Sequence, residues 1–235
     1  MRLPFGIDKL DEYLGGGLDE GTLNLITGRS GKGKTILASQ WAAEGIRSGE
    51  NVVYISTTLV RKSCESYLKN MKFMKDVYDK IHWRFIRIDA KDFLPMSKEK
   101  IDDSIRNILE LDPREVDRVV FDSITDFDKA LADPVLYRSA LGYIAEICYE
   151  NEMTTIFVEE APMLQEWGET KNIAESVIFL ELLKVPDGFE RALKIIKKYR
   201  TNHPLDWIPF EITDGGIICK EGRLVFKDYD FVYKN

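Results

Sequence analysis

Gly28-Arg29-Ser30-Gly31-Lys32-Gly33-Lys34-Thr35 fits the phosphate-binding pattern G-x-x-x-x-G-K-[ST] at every fixed position. Before it, Thr22 to Thr27 alternates like a short buried strand; after it, Ile36 to Ile46 has helical spacing, with Leu37, Ala38 and Trp41 on one face. That is the strand–loop–helix setting the pattern requires. Glycines let the backbone curl so that successive N–H groups point at phosphate oxygens, and the helix N-terminus adds partial positive charge. Lys34 reaches the β- and γ-phosphates, and the Thr35 hydroxyl is suited to ligate Mg²⁺. The nucleotide contacts expected here are Gly28, Arg29, Ser30, Gly31, Lys32, Gly33, Lys34, Thr35 and Ile36.

Working outward, Asp117-Arg118-Val119-Val120-Phe121-Asp122-Ser123 is the second chemical landmark. Its continuous apolar run reads as a strand of a parallel sheet buried on both faces. A carboxylate at the C-terminal end of such a strand sits at the ligand edge. Asp122 is therefore the expected partner of Thr35 in holding Mg²⁺, usually through water.

The other elements alternate. Ile7, Leu10 and Leu14 share a helical face that the triplet Gly15-Gly16-Gly17 ends. Asn51 to Thr58 reads as a strand, Lys62 to Met71 as a helix, His82 to Asp89 as a strand, and Ser97 to Leu111 as a helix with Ser97 as its N-cap. A helix from Pro134 to Asn151 and a strand from Met153 to Glu160 follow, and Ala161 to Ser176 reads as a loop at the ligand edge. Val177–Leu183 and Ala192–Lys197 flank Pro186-Asp187-Gly188 as an antiparallel hairpin, with a further strand and turn over Phe210 to Ile217. The fold class is α/β, a mainly parallel twisted sheet flanked by helices with antiparallel strands added at the C-terminal end. Residues 1–235 read as one domain, with no linker, repeat or low-complexity segment.

Composition sets outer limits. The net charge is −7, which argues against a surface broadly basic for nucleic acid. Cys64, Cys148 and Cys219 are odd in number and far apart, without disulfide or zinc spacing. No apolar run approaches a membrane span, and Met1-Arg2-Leu3-Pro4-Phe5 reads as folded sequence rather than a signal peptide. The expected location is cytoplasmic.

The pattern resembles the KaiC-like and RadA-like group of RecA-superfamily P-loop ATPases, in its single-domain, archaeal form. The resemblance rests on Gly6-Ile7-Asp8-Lys9-Leu10-Asp11 with Gly15-Gly16-Gly17, the phosphate loop, and Val119 to Ser123. It continues through Thr154-Thr155, Ala174 to Ile178, Thr201-Asn202-His203 and Pro209 to Ile217. It implies ATP with Mg²⁺, and self-association into rings, the hexamer among them, or filaments, with ATP at the seam between subunits. One subunit gives the phosphate loop and the next a Lys-x-Arg segment. Here Lys198-Tyr199-Arg200 stands in that place, one residue off the usual spacing, so that Lys197 is an alternative to Lys198. On the resemblance, Lys198, Arg200, Thr201, His203 and Asp214 join the nucleotide site.

One departure bears on activity. The family places a carboxylate pair at the end of the second strand, where it activates the attacking water. Aligned on Val53-Tyr54-Ile55-Ser56, that pair falls on Thr58 and Leu59. Neither is a base near neutral pH. Glu159 and Glu160, on a nearby strand end, are candidate substitutes. Two readings follow: an ATP-binding regulatory or scaffolding assembly with slow or absent hydrolysis, or a working ATPase that drives a protein or nucleic-acid partner.

Overall fold

The strand that leads into the phosphate loop lies in the middle of the main sheet. The computed structural model describes residues 1–161, 168–227 and 230–234. In chain order its elements are β1 (Arg2–Leu3), α1 (Asp8–Tyr13), β2 (Leu18–Asp19), β3 (Leu23–Gly28), α2 (Lys34–Arg47), β4 (Val52–Ser56), α3 (Arg61–Cys64) and β5 (His82–Phe85). Then come α4 (Lys98–Leu109), β6 (Arg118–Asp122), α5 (Ile124–Leu131), α6 (Pro134–Glu150), β7 (Thr154–Glu160) and α7 (Glu169–Ile173). The chain finishes with β8 (Ser176–Val185), β9 (Gly188–Lys198), β10 (Ile208–Thr213), β11 (Gly216–Cys219), β12 (Arg223–Lys227) and β13 (Asp230–Lys234).

Among the described residues, nine strands form one sheet in the order β11-β10-β9-β8-β3-β7-β6-β4-β5. From β8 to β5 the neighbours are parallel, and β9, β10 and β11 add on antiparallel. The expected class therefore holds: a mixed sheet with a parallel heart, helices on both faces and antiparallel C-terminal strands. The strand period of two explains the unbroken apolar runs. Val119 and Phe121 point into the layer with α4, α5 and α6, while Val120 points into the layer with α1 and α2. Val53 and Ile55 divide from Val52 and Tyr54 in the same way.

Some boundaries differ from the expectation. The helix expected over 62–71 is a short α3 followed by a π-helical turn, Glu65–Lys69. The strand expected over 82–89 stops at Phe85. Helix α5 is an element that the sequence reading did not separate, and α7 lies inside the stretch read as loop, of which 162–167 fall outside the described residues. The Ser97 hydroxyl does cap α4, accepting from the Lys100 N–H at 3.2 Å. The hairpin β8–β9 turns on Pro186 and Asp187.

Candidate functional site

Two glycines fix the loop that joins β3 to α2. Gly28 has φ 139°, and a Cβ there would lie 2.2 Å from the Leu180 carbonyl oxygen, so only glycine lets β3 pair with β8 as its last residue turns. Gly33 has φ 106° and starts α2 without a side-chain cap, which leaves the helix's first N–H groups for a ligand. Lys34 folds back over the loop, its ammonium donating to the Gly28 carbonyl at 2.7 Å and the Arg29 carbonyl at 2.8 Å. Burial pushes the Lys34 ammonium down from its ordinary pKa, against the pull of Glu160, Asp122 and Glu159.

The chain brings Thr35 and Asp122 together as expected. The Thr35 hydroxyl donates to Asp122 Oδ2 at 2.8 Å, and the Tyr54 hydroxyl donates to the same oxygen at 3.0 Å. Asp122 is buried, and burial pushes its carboxyl up from the usual carboxylate range, while Thr35, Tyr54 and Lys34 pull it back. One hydroxyl and one carboxylate at this spacing, beside an open cleft, fit a hydrated Mg²⁺ that draws its other ligands from phosphate oxygens. The cleft measures about 710 Å³ and is lined by Ser30, Gly31, Gly33, Lys34, Thr35 and Ile36 from the loop and helix. Gly28, Arg29 and Lys32 belong to the same loop; Arg29 lies 3.6 Å from the Glu181 carboxylate.

Thr58 and Leu59, on which the resemblance places the family's carboxylate pair, both line this cleft. The two candidate substitutes separate. Glu160 lines the cleft, whereas Glu159 accepts a hydrogen bond from Thr27 at 3.0 Å and does not.

The basic run lies toward the other end of β8 from the loop. Gly28 pairs with Leu180, and Lys198 pairs with Ser176, four residues back along β8, or about 13 Å at the rise of a strand. Lys198 is placed away from solvent. Its side chain is buried in an ion pair with Asp19, because on β9 it faces inward over β2. Lys197, one residue away and on the other face, lies 4.5 Å over the Tyr199 ring and donates to the Asn172 carbonyl at 3.0 Å. Arg200 is exposed, 3.6 Å from Glu175. Thr201 follows it with a buried hydroxyl that has no hydrogen-bond partner among the described residues, and His203 Nδ1 lies 3.1 Å from the Pro204 carbonyl oxygen. Asp214 is exposed in the β10–β11 turn, its carbonyl accepting from the Lys72 N–H at 2.7 Å. None of these six lines the cleft of its own chain.

Sequence reasoning missed Tyr54, Tyr67, Asp126, Lys129 and Arg191. The last four line the cleft, and Asp126 accepts from the Thr57 hydroxyl at 2.6 Å. Tyr54 carried a usable signal, a lone phenol among Val52, Val53 and Ile55 in the strand beside Asp122's. The others come from separate segments and meet only in the fold.

With loop, carboxylate and cleft in place, likeness to known proteins can be weighed. The sequence model of the family described as "ATPase: KaiC" matches residues 3–223. The chain belongs to the KaiC ATPase family. It is 28% identical to a UPF0273 protein of Thermotoga maritima over 92% of this chain and 95% of that one. It is 28% identical to the circadian clock protein KaiC3 of Synechocystis over 90% of this chain but only 44% of that longer protein. A DNA repair and recombination protein RadB of Methanosphaera stadtmanae is 26% identical over 89% of this chain and 92% of its own. Among solved structures, a KaiC-like protein of Pyrococcus horikoshii superposes with a TM-score of 0.76 at 27% identity, over 94% of this chain and 99% of that one. No helix among the described residues is long and apolar enough to cross a membrane.

Proposed function

We propose that this KaiC-family chain is one nucleotide-binding unit that takes up MgATP, self-associates, and hydrolyses ATP slowly or not at all, acting in regulation or scaffolding in the cytoplasm. The observation that carries the reading is the pairing of an intact loop and a Thr35–Asp122 bond with Thr58 and Leu59 on the cleft wall. Binding groups are present, and the expected general base is not. Mg²⁺, when bound, supplies charge neutralisation on the phosphates. Lys34 binds the β- and γ-phosphates, and the loop N–H groups orient them. Arg200 and Lys197, toward the other end of β8 from the loop, serve a neighbour's nucleotide in a head-to-tail assembly, with Thr201, His203 and Asp214 near that seam. The test is nucleotide affinity measured beside turnover on one sample. Tight binding with turnover far below about 10 per second supports the reading.

A second reading has one specific observation behind it. Glu160 lines the cleft and is a carboxylate at a strand end, so it is the residue that would serve as base in a working ATPase. Such an enzyme would drive a protein or nucleic-acid partner, in line with the likeness to RadB. The net charge of −7 weighs against nucleic acid as the main partner. Glu160→Gln separates the readings: it leaves the first unchanged and abolishes turnover in the second.

A further inference from the structure

Tyr54 sits in the middle of β4 with its ring fully enclosed. Trp83 of β5 packs on it with ring centres 4.7 Å apart, and Tyr78 packs on Trp83 at 4.7 Å. The Trp83 indole N–H donates to the Tyr78 carbonyl at 2.9 Å, which fixes the middle ring of the column. On the α2 side, the Ser39 hydroxyl donates to the Thr35 carbonyl at 2.7 Å and also lies within hydrogen-bonding reach of the Tyr54 hydroxyl. A phenol held in this way has little freedom, and its hydroxyl ends 3.0 Å from Asp122 Oδ2. A buried hydroxyl needs a partner, but an aliphatic residue would have filled this strand position without needing one. Thr35 and Tyr54 both donate to Oδ2, so Oδ1 is the carboxylate oxygen that neither hydroxyl takes.

We propose that Tyr54 is a positioning residue for the metal side of the nucleotide site, holding the Asp122 carboxylate in the orientation from which it serves a divalent cation beside Thr35. The inference rests on the reading of Thr35 and Asp122 given above. Tyr54 touches neither nucleotide nor metal; it acts through Asp122. The groups that orient a metal's ligands typically change its affinity by about 10–100-fold when removed. A merely structural Tyr54 would instead act alike on every form of the protein.

The experiment compares wild type, Tyr54→Phe and Asp122→Asn. Each is titrated with a non-hydrolysable ATP analogue in Mg²⁺ and again in EDTA, and melted in EDTA. Tyr54→Phe keeps the ring and its stack on Trp83 and loses one oxygen. The expected result is EDTA affinity and melting temperature close to wild type, with the gain in affinity on adding Mg²⁺ reduced about tenfold. Equal loss in Mg²⁺ and EDTA overturns the proposal in favour of a packing role. A full Mg²⁺ gain in Tyr54→Phe beside a lost gain in Asp122→Asn overturns it while leaving the metal reading standing. If Asp122→Asn retains the full gain, or wild type shows none, the metal reading itself fails and the proposal falls with it.

Discussion

Lys34 holds two loop carbonyls with an ammonium whose charge is already partly desolvated, so a nucleotide replaces backbone oxygens by phosphate oxygens without first having to dehydrate the lysine. Hydrogen bonds to charged groups are worth about 1.5–3 kcal/mol each, and in the proposed complex Lys34 makes two of them, one to each terminal phosphate. Lys34→Ala is expected to weaken ATP binding by about a hundredfold or more, as measured by calorimetric titration; unchanged affinity would remove the loop from the site. Asp122→Asn keeps the shape and removes the charge that faces the metal. It is expected to lower affinity in Mg²⁺ more than in EDTA, and equal losses would show that Asp122 is not the metal-side carboxylate. These residues were legible in the sequence because phosphate and metal chemistry fix both residue type and spacing. Lys129 and Arg191 were not, because α5 and β9 come together at the cleft only after the pairings that run from β6 through β7, β3 and β8 to β9 have formed.

At the scale of elements, β9 shows why a run of like residues is not one feature. Lys197, Lys198 and Arg200 read as a single basic segment, but strand alternation sends Lys197 and Lys198 to opposite faces. Lys198 is spent on Asp19, which ties the end of β9 to the β1–β2 ribbon. Burial alone pushes the Asp19 carboxyl up, but Lys198 and Arg2 more than reverse this and hold it below its ordinary value. Removing one partner of a buried pair typically costs about 3–5 kcal/mol. Asp19→Asn or Lys198→Ala should therefore lower stability in urea melts by that order, while Lys197→Ala and Arg200→Ala stay within about 0.5 kcal/mol. If Lys198→Ala is as stable as wild type, the pair is a solvated contact. The parallel strands were legible for the opposite reason: burial on both faces leaves only apolar choices, as in Val119-Val120-Phe121. Helix α5 was not, because Ser123 caps it directly at the end of β6 and no turn residue separates the two.

For the whole molecule, the distance between the phosphate loop and the Lys197–Arg200 segment is the decisive fact. The loop follows β3 beside Leu180 of β8, and Lys197 lies on β9 beside Val177 near the other end of β8, so in the proposed shared site the two come from neighbouring copies in head-to-tail contact. A charge contact of about 1.5–3 kcal/mol per seam would favour the assembled state with ATP more than with ADP. Light scattering after size exclusion should show larger particles with a non-hydrolysable ATP analogue than without nucleotide, and the double variant Lys197→Ala, Arg200→Ala should lose that response without losing its fold. A chain that stays monomeric with saturating analogue contradicts the shared site. The central claim, a nucleotide site complete for binding and lacking its base, is tested most directly by ATP turnover in a sample already shown to be saturated with MgATP. A positioned base contributes about 10²–10⁴-fold, so turnover should lie below about 0.1 per second, and Glu160→Gln should not change it. Turnover near 10 per second that vanishes in Glu160→Gln would contradict the account and make Glu160 the base.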